Sequence, residues 1–150
     1  MPDPLVFMMG KFEARIPTDR LYFESHLWAQ LNGDLLRVGF TSYAVRLLQD
    51  VYFLDWQIDP DSNVRHKQAI GEIESSKATS TLYAPAEGRV VRFNEALLND
   101  PSLINADPHE RGWLYEFATS SSLLQPEEYI KVLDAGWEKT QQMLKNQFNE

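Results

Sequence analysis

The sequence predicts a mostly β fold, a sandwich or barrel of short strands closed by one long helix near the C-terminal end. Three observations predict it. Short apolar runs recur at close spacing between turn signals, helical periodicity is weak before Pro126, and neither a linker nor a tandem repeat breaks the chain.

The stretch Met1 to Gly10 is apolar but holds Asp3 and two prolines, with no basic leader and no long apolar core, so it does not read as a signal peptide. Residues 1–15 are read as an N-terminal extension of one domain spanning 1–150. From His26 to Phe40, two apolar-rich runs flank Asn32-Gly33-Asp34, where Asn-Gly signals a hairpin. Thr41 or Ser42 caps a short helix through Gln49, with Ala44, Leu47 and Leu48 on one side. Val51 to Leu54 reads as a strand, and Asp59 to Asn63 as a turn on composition. Strands are expected over Ala69 to Glu74 and Thr79 to Ala84, with Lys77 in the polar break between them. Pro85-Ala86-Glu87-Gly88 is a turn with Pro first and Gly last, and Arg89 to Phe93 is the strand that leaves it. Asn94 caps a helix over Glu95 to Asn99, Asp100 to Pro108 is an irregular connection, and Trp113 to Ala118 is the last strand. The long helix spans 126–148, with Tyr129, Val132, Leu133, Trp137, Met143 and Leu144 on one apolar face that packs on the sheet.

Composition narrows the function. A chain of 150 residues buries a core without disulfides, and 43% hydrophobic against 24% charged residues is the balance of a globular protein. The net charge of −8, with no dense Lys/Arg cluster, argues against nucleic acid and anionic membranes as partners. With no Cys, structural disulfides, thiol catalysis and Cys-ligated zinc are all excluded. His66 and His109 lack metal-ligand spacing, and no metal is assigned. No nucleophile and base pair and no Gly-rich phosphate loop points to an enzyme. The expected setting is the cytoplasm, and the expected state is a monomer.

The segment Gly71 to Asn94, GEIESSKATSTLYAPAEGRVVRFN, concentrates small and polar residues around one lysine. It resembles the lipoylation segment of glycine-cleavage H proteins, in which Glu-Ser-x-Lys-Ala surrounds the modified lysine; here these are Glu74, Ser75, Ser76, Lys77 and Ala78. The resemblance continues through Ala84-Pro85, Gly88 and Asn94, and outward to His26, Trp28, Gly39, Thr41, Tyr43, Ala44, Asp100-Pro101 and Gly112-Trp113-Leu114. It covers roughly Ile16 to Leu133. Biotin carriers usually flank their lysine with Met, and oxo-acid dehydrogenase lipoyl domains place Asp before it, whereas the neighbours here are Ser76 and Ala78.

The resemblance implies a barrel-sandwich hybrid and a non-catalytic carrier with lipoic acid joined as an amide to Lys77, a swinging arm on a hairpin tip. A lone lysine in a polar loop is ordinarily just solvated; the surrounding match is what singles out Lys77. It also implies that Glu72, Glu74, Ser75, Ser76 and Ala78 serve recognition by a lipoate ligase or lipoyl transferase. Ser25, His26, Leu27 and Thr81 would line a cleft for the arm.

Two positions depart from the family. H proteins shelter a protonated aminomethyl group with acids where this chain has Leu27 and Thr81, and an ammonium without a carboxylate is costly to shelter. Ser42 likewise stands where the family has Asp. The expectation is therefore an H-like lipoate-binding protein specialised for sulfur transfer with a heterodisulfide-reductase-like complex. The alternatives are a glycine-cleavage H protein, working with the decarboxylase, the tetrahydrofolate-dependent transferase and dihydrolipoyl dehydrogenase, and an unmodified binding module.

Overall fold

The computed structural model describes residues 3–148, with side chains through 143. An antiparallel hairpin, β1 (Leu5–Met9) and β2 (Phe12–Ile16), comes first. It was not legible in the sequence as strands, because only its inward residues Phe7, Met9, Ala14 and Ile16 are buried while Val6, Met8 and Phe12 are exposed. With both faces of β1 apolar, that run shows no alternation, and the alternation of Glu13, Ala14, Arg15 and Ile16 in β2 is short.

Next come β3 (Leu21–Phe23), β4 (Leu27–Asn32) and β5 (Leu35–Phe40), then α1 (Ser42–Leu48) and β6 (Val51–Trp56). The β4–β5 hairpin turns on Gly33-Asp34, with Gly33 at φ 66°, a conformation that glycine adopts without the steric cost other residues meet. Thr41 caps α1, its Oγ1 accepting from the Ala44 N–H at 3.2 Å. The chain continues as β7 (Ser62–Val64), β8 (Ala69–Ser75), β9 (Thr79–Tyr83) and β10 (Gly88–Phe93). Ser62 and Asn63, expected in a turn, pair instead with β10, and the bend is taken up by Asp61 at φ 64°.

After β10 come α2 (Glu95–Asn99), α3 (Leu103–Ala106), β11 (Tyr115–Ala118) and α4 (Pro126–Phe148). The connection expected to be irregular thus contains α3. Burial of Leu103 and Ile104 stabilises this single turn, while Asn105 Oδ1 accepts from the Val51 N–H at 2.8 Å and ties it to β6. Trp113 precedes the strand rather than opening it.

Two sheets enclose the main core. One has the order β3-β4-β5-β11-β10-β7, and the other is β6-β8-β9. Leu54, Ile70 and Ile73 from the small sheet meet Val38, Val90, Tyr115 and Phe117 from the large one, all nearly inaccessible to solvent. Each such side chain contributes roughly 1.5–3 kcal/mol of burial free energy. This is the expected barrel-sandwich arrangement.

A second core joins β1 and β2 to α4 through Phe7, Ile16, Tyr22, Trp28, Tyr43, Tyr129 and Leu133. Tyr22 stacks on Tyr129 at 4.7 Å, and Phe7 meets Tyr43 edge-on at 6.0 Å. Of the face predicted for α4, Tyr129 and Leu133 are buried and Val132 and Trp137 partly so, but Met143 is exposed. Met143 stands roughly 15 Å along the axis from Leu133, past the elements, β1 and β3, that α4 packs on. Leu144 lies outside the described side chains. Among the described residues, no helix is long and apolar enough to cross a membrane.

Candidate functional site

Lys77 sits in the bend between β8 and β9, where pairing runs to Glu74↔Thr79. Short polar contacts hold the bend from both sides. The Ser75 N–H donates to the Ala78 carbonyl at 3.0 Å, Ser75 Oγ accepts from the Lys77 N–H at 3.3 Å, and the Ser76 N–H donates to the Asp50 carbonyl at 2.9 Å. The Asp50 N–H returns a bond to Ser76 Oγ at 3.3 Å. Ser76 and Ala78 are exposed and Lys77 is half-buried, so the lysine is less open than a bare tip implies. Ser75 is buried, which makes it a shaper of the turn rather than a surface that a partner touches.

The period of β8 sorts its residues. Ile73 points into the core, while Glu72 and Glu74 occupy the opposite face opposite Thr81 and Thr79. Beside them on the neighbouring strands stand the exposed aromatics Phe53 and Tyr83. The face next to Lys77 is therefore acidic with aromatic edges.

The four predicted cleft residues come together. Ser25, His26, Leu27 and Thr81 all line one cavity of about 270 Å³, whose remaining wall includes Phe40, Leu48, Trp56, Ile73, Leu82 and Tyr115. The cavity runs along β9, which begins two residues after Lys77. Its sixteen lining residues include no Asp, Glu, Lys or Arg. Leu27 is buried and Thr81 exposed, so neither place expected to hold an acid in the family supplies a charge here.

His26 holds its place by unusual means for a β-sheet protein. The chain passes it at φ 69°, between its N–H donating to the Phe23 carbonyl and its carbonyl accepting from the Thr41 N–H, each at 3.2 Å. Its ring packs on Tyr43 at 4.8 Å, and its Nδ1 meets Tyr129 Oη at 3.0 Å. Burial lowers the imidazole below its ordinary value, which favours its neutral form. Trp28 is structural: Arg20 lies over its ring at 4.7 Å and its Nε1–H donates to the Pro108 carbonyl at 3.0 Å.

Sequence reasoning missed Tyr129, Trp56 and Tyr115 as parts of this site. The sequence pattern puts Tyr129 on a helix face and ends the strand at Leu54, before Trp56. Nothing local signals that residues 103 positions apart share a hydrogen bond. Among the described residues, no cluster of three or more His, Asp or Glu is placed to hold a metal ion.

His109, outside the cleft, sets an expected pH dependence. Burial, reinforced by the Arg20 charge, lowers it to about 4 from 6.5. The unfolded chain takes up a proton there as pH falls below 6.5, while the folded chain does so only near pH 4. The unfolded state thus binds more protons in that window, and stability falls with falling pH by up to about 3 kcal/mol. Urea midpoints from pH 7.5 to 4.5 should show the loss, and His109→Gln should flatten the slope; a pH-independent midpoint contradicts it.

The family model described as Glycine cleavage H-protein matches residues 20–142. A probable glycine cleavage system H protein of Natronomonas pharaonis is 43% identical over 118 residues, covering 76% of this chain and 93% of the relative. The glycine cleavage system H protein of Corynebacterium jeikeium is 42% identical over 120 residues, 76% of this chain and 94% of its own. The crystal structure of a glycine cleavage system H protein from Mycobacterium marinum superposes with a TM-score of 0.68 at 38% identity, covering 77% of this chain and 97% of that one. A match of this extent, on a barrel-sandwich whose β8–β9 bend presents Lys77, makes the chain a member of the glycine cleavage H-protein family.

Proposed function

We propose that the chain is a non-catalytic carrier with lipoate attached to Lys77, and that it passes an aminomethyl group among the glycine cleavage enzymes. The observation behind this reading is the position of Lys77. It lies in a bend pinned by Ser75, Ser76 and Asp50, three residues before Ser80, where β9 begins to line an apolar cleft. Such a base holds the attachment point while leaving Ser76 and Ala78 open to an attaching enzyme. Joined as an amide to Nζ, lipoate supplies a dithiol that accepts a group from one enzyme and yields it to another.

The residues present suit that group. The cleft wall is mostly Leu, Ile and aromatic, which favours a hydrocarbon tether and a small sulfur ring over water. Glu72 and Glu74, on the face beside the bend, offer a charge pattern to the lipoate ligase or lipoyl transferase. A tether confined to this domain keeps its end at high local concentration near docked partners, namely the decarboxylase, the transferase and dihydrolipoyl dehydrogenase.

The relatives' names support glycine cleavage as the pathway. One observation favours a second reading, transfer of sulfur to a heterodisulfide-reductase-like complex: no carboxylate lines the cleft, which leaves an ammonium without counter-charge. Exchange of labelled bicarbonate into glycine by the decarboxylase and the lipoylated chain separates them. Exchange above the level of a Lys77→Arg control is expected under the first reading. Its absence, with the lipoyl mass present on the chain, moves the assignment to the second.

A further inference from the structure

The hydrogen bonds behind the cleft have a direction. Thr41 is fully buried, and its Oγ1 already accepts from the Ala44 N–H. The proton on that hydroxyl needs an acceptor, and Tyr129 Oη at 2.9 Å is the one in reach. Tyr129 is itself fully buried, so its own proton goes to its remaining partner, His26 Nδ1 at 3.0 Å. An Nδ1 that accepts carries no proton, and a neutral imidazole then bears its proton on Nε2. The opposite direction leaves a buried hydroxyl proton of Thr41 unsatisfied.

Nε2 is the nitrogen left for the cavity that His26 lines. Two more lining residues hold polar atoms without a partner among the described residues, the buried indole Nε1–H of Trp56 and the buried hydroxyl of Tyr115. Trp56 Nε1 can only donate. No lining side chain offers a carboxylate to balance a cation.

We infer that Thr41 and Tyr129 lock His26 as a neutral Nε2–H donor, making the cleft a site for a neutral or anionic group that ends in a hydrogen-bond acceptor, such as a thiolate or carboxylate. An ammonium meets hydroxyl oxygens there but no lining carboxylate to balance its charge. As a statement about what Lys77 carries, this rests on the carrier reading and bears on its second form, transfer of sulfur, rather than on the aminomethyl form; as a statement about the cleft, it stands on the unmodified chain, which is therefore the material to test.

The full-length unmodified chain, labelled with 15N, is observed at pH 7.5 by long-range proton–nitrogen correlation of its histidine rings, with His26 identified by its loss in His26→Gln. The expected spectrum shows His26 protonated at Nε2 alone. Addition of sodium butyrate shifts the His26 Nε2–H resonance, and n-butylammonium chloride at equal concentration and ionic strength leaves it in place. Protonation at Nδ1 overturns the inference. So does an equal or larger shift with butylammonium, or no shift with either probe. Lipoylation of Lys77 is scored separately by mass, so a bare lysine refutes the carrier reading without touching this result.

Discussion

Lys77→Arg is expected to leave the chain folded and to abolish lipoyl loading. The substitution keeps a long cationic side chain, and the bond that the backbone N–H of residue 77 gives to Ser75 Oγ does not depend on the side chain beyond it. The bend, the β8–β9 pairing and the cleft should therefore survive, with thermal midpoint and far-UV circular dichroism close to those of the parent. What changes is chemistry. A guanidinium stays protonated at any pH the protein survives and is not a nucleophile toward an activated acyl group, whereas a lysine amine can shed its proton and form an amide. Incubation with a lipoate ligase, ATP and lipoate should give full loading of the parent and none of the variant. Loading of the variant would mean that another amine is the target, and the function built on Lys77 would fall with it.

Gly88→Ala is expected to cost at least about 3 kcal/mol, because it forces a methyl group into a well-packed strand junction. A Cβ at residue 88 would lie 2.3 Å from the Ala118 carbonyl oxygen and 2.8 Å from the ring of Phe117. The first is backbone and cannot rotate away; the second belongs to a side chain with no solvent exposure. Relief requires parting β10 from β11 at the Arg89↔Ala118 pair, and Gly88 is also the residue that β10 pairs with Val64 of β7. At this chain length the melting temperature should drop by roughly 10 °C, read by circular dichroism. A drop of only a degree or two would show that the sheet end yields freely, contrary to the packing described.

What could be read from the sequence was local. Asn32-Gly33, the caps Thr41 and Asn94, and the strands on either side of Lys77 all announce themselves within a few residues, because turn and cap chemistry acts over that range. The β1–β2 hairpin did not, since Val6 and Met8 put apolar side chains on the solvent face of β1 and erase its alternation, and β2 is too short to signal alone. Nor did α3, a turn that exists because Leu103 and Ile104 are buried by the rest of the molecule. The departures at Leu27 and Thr81 were visible as residue types, but that they share one cavity with His26 and Ser25 was not derivable from spacing. The anchoring of His26 by Tyr129 depends on α4 folding back across the chain, and only the tertiary structure contains it. Lys77 itself stood out through family resemblance; its own residue type and exposure are ordinary.

The most direct measurement is a peptide map by tandem mass spectrometry of the full chain produced together with a lipoate ligase. The account predicts one lipoyl group per chain, located on Lys77. A lipoyl group on Lys67 or any other lysine, or a correctly folded chain that stays unmodified while a known acceptor in the same cells is fully loaded, contradicts it.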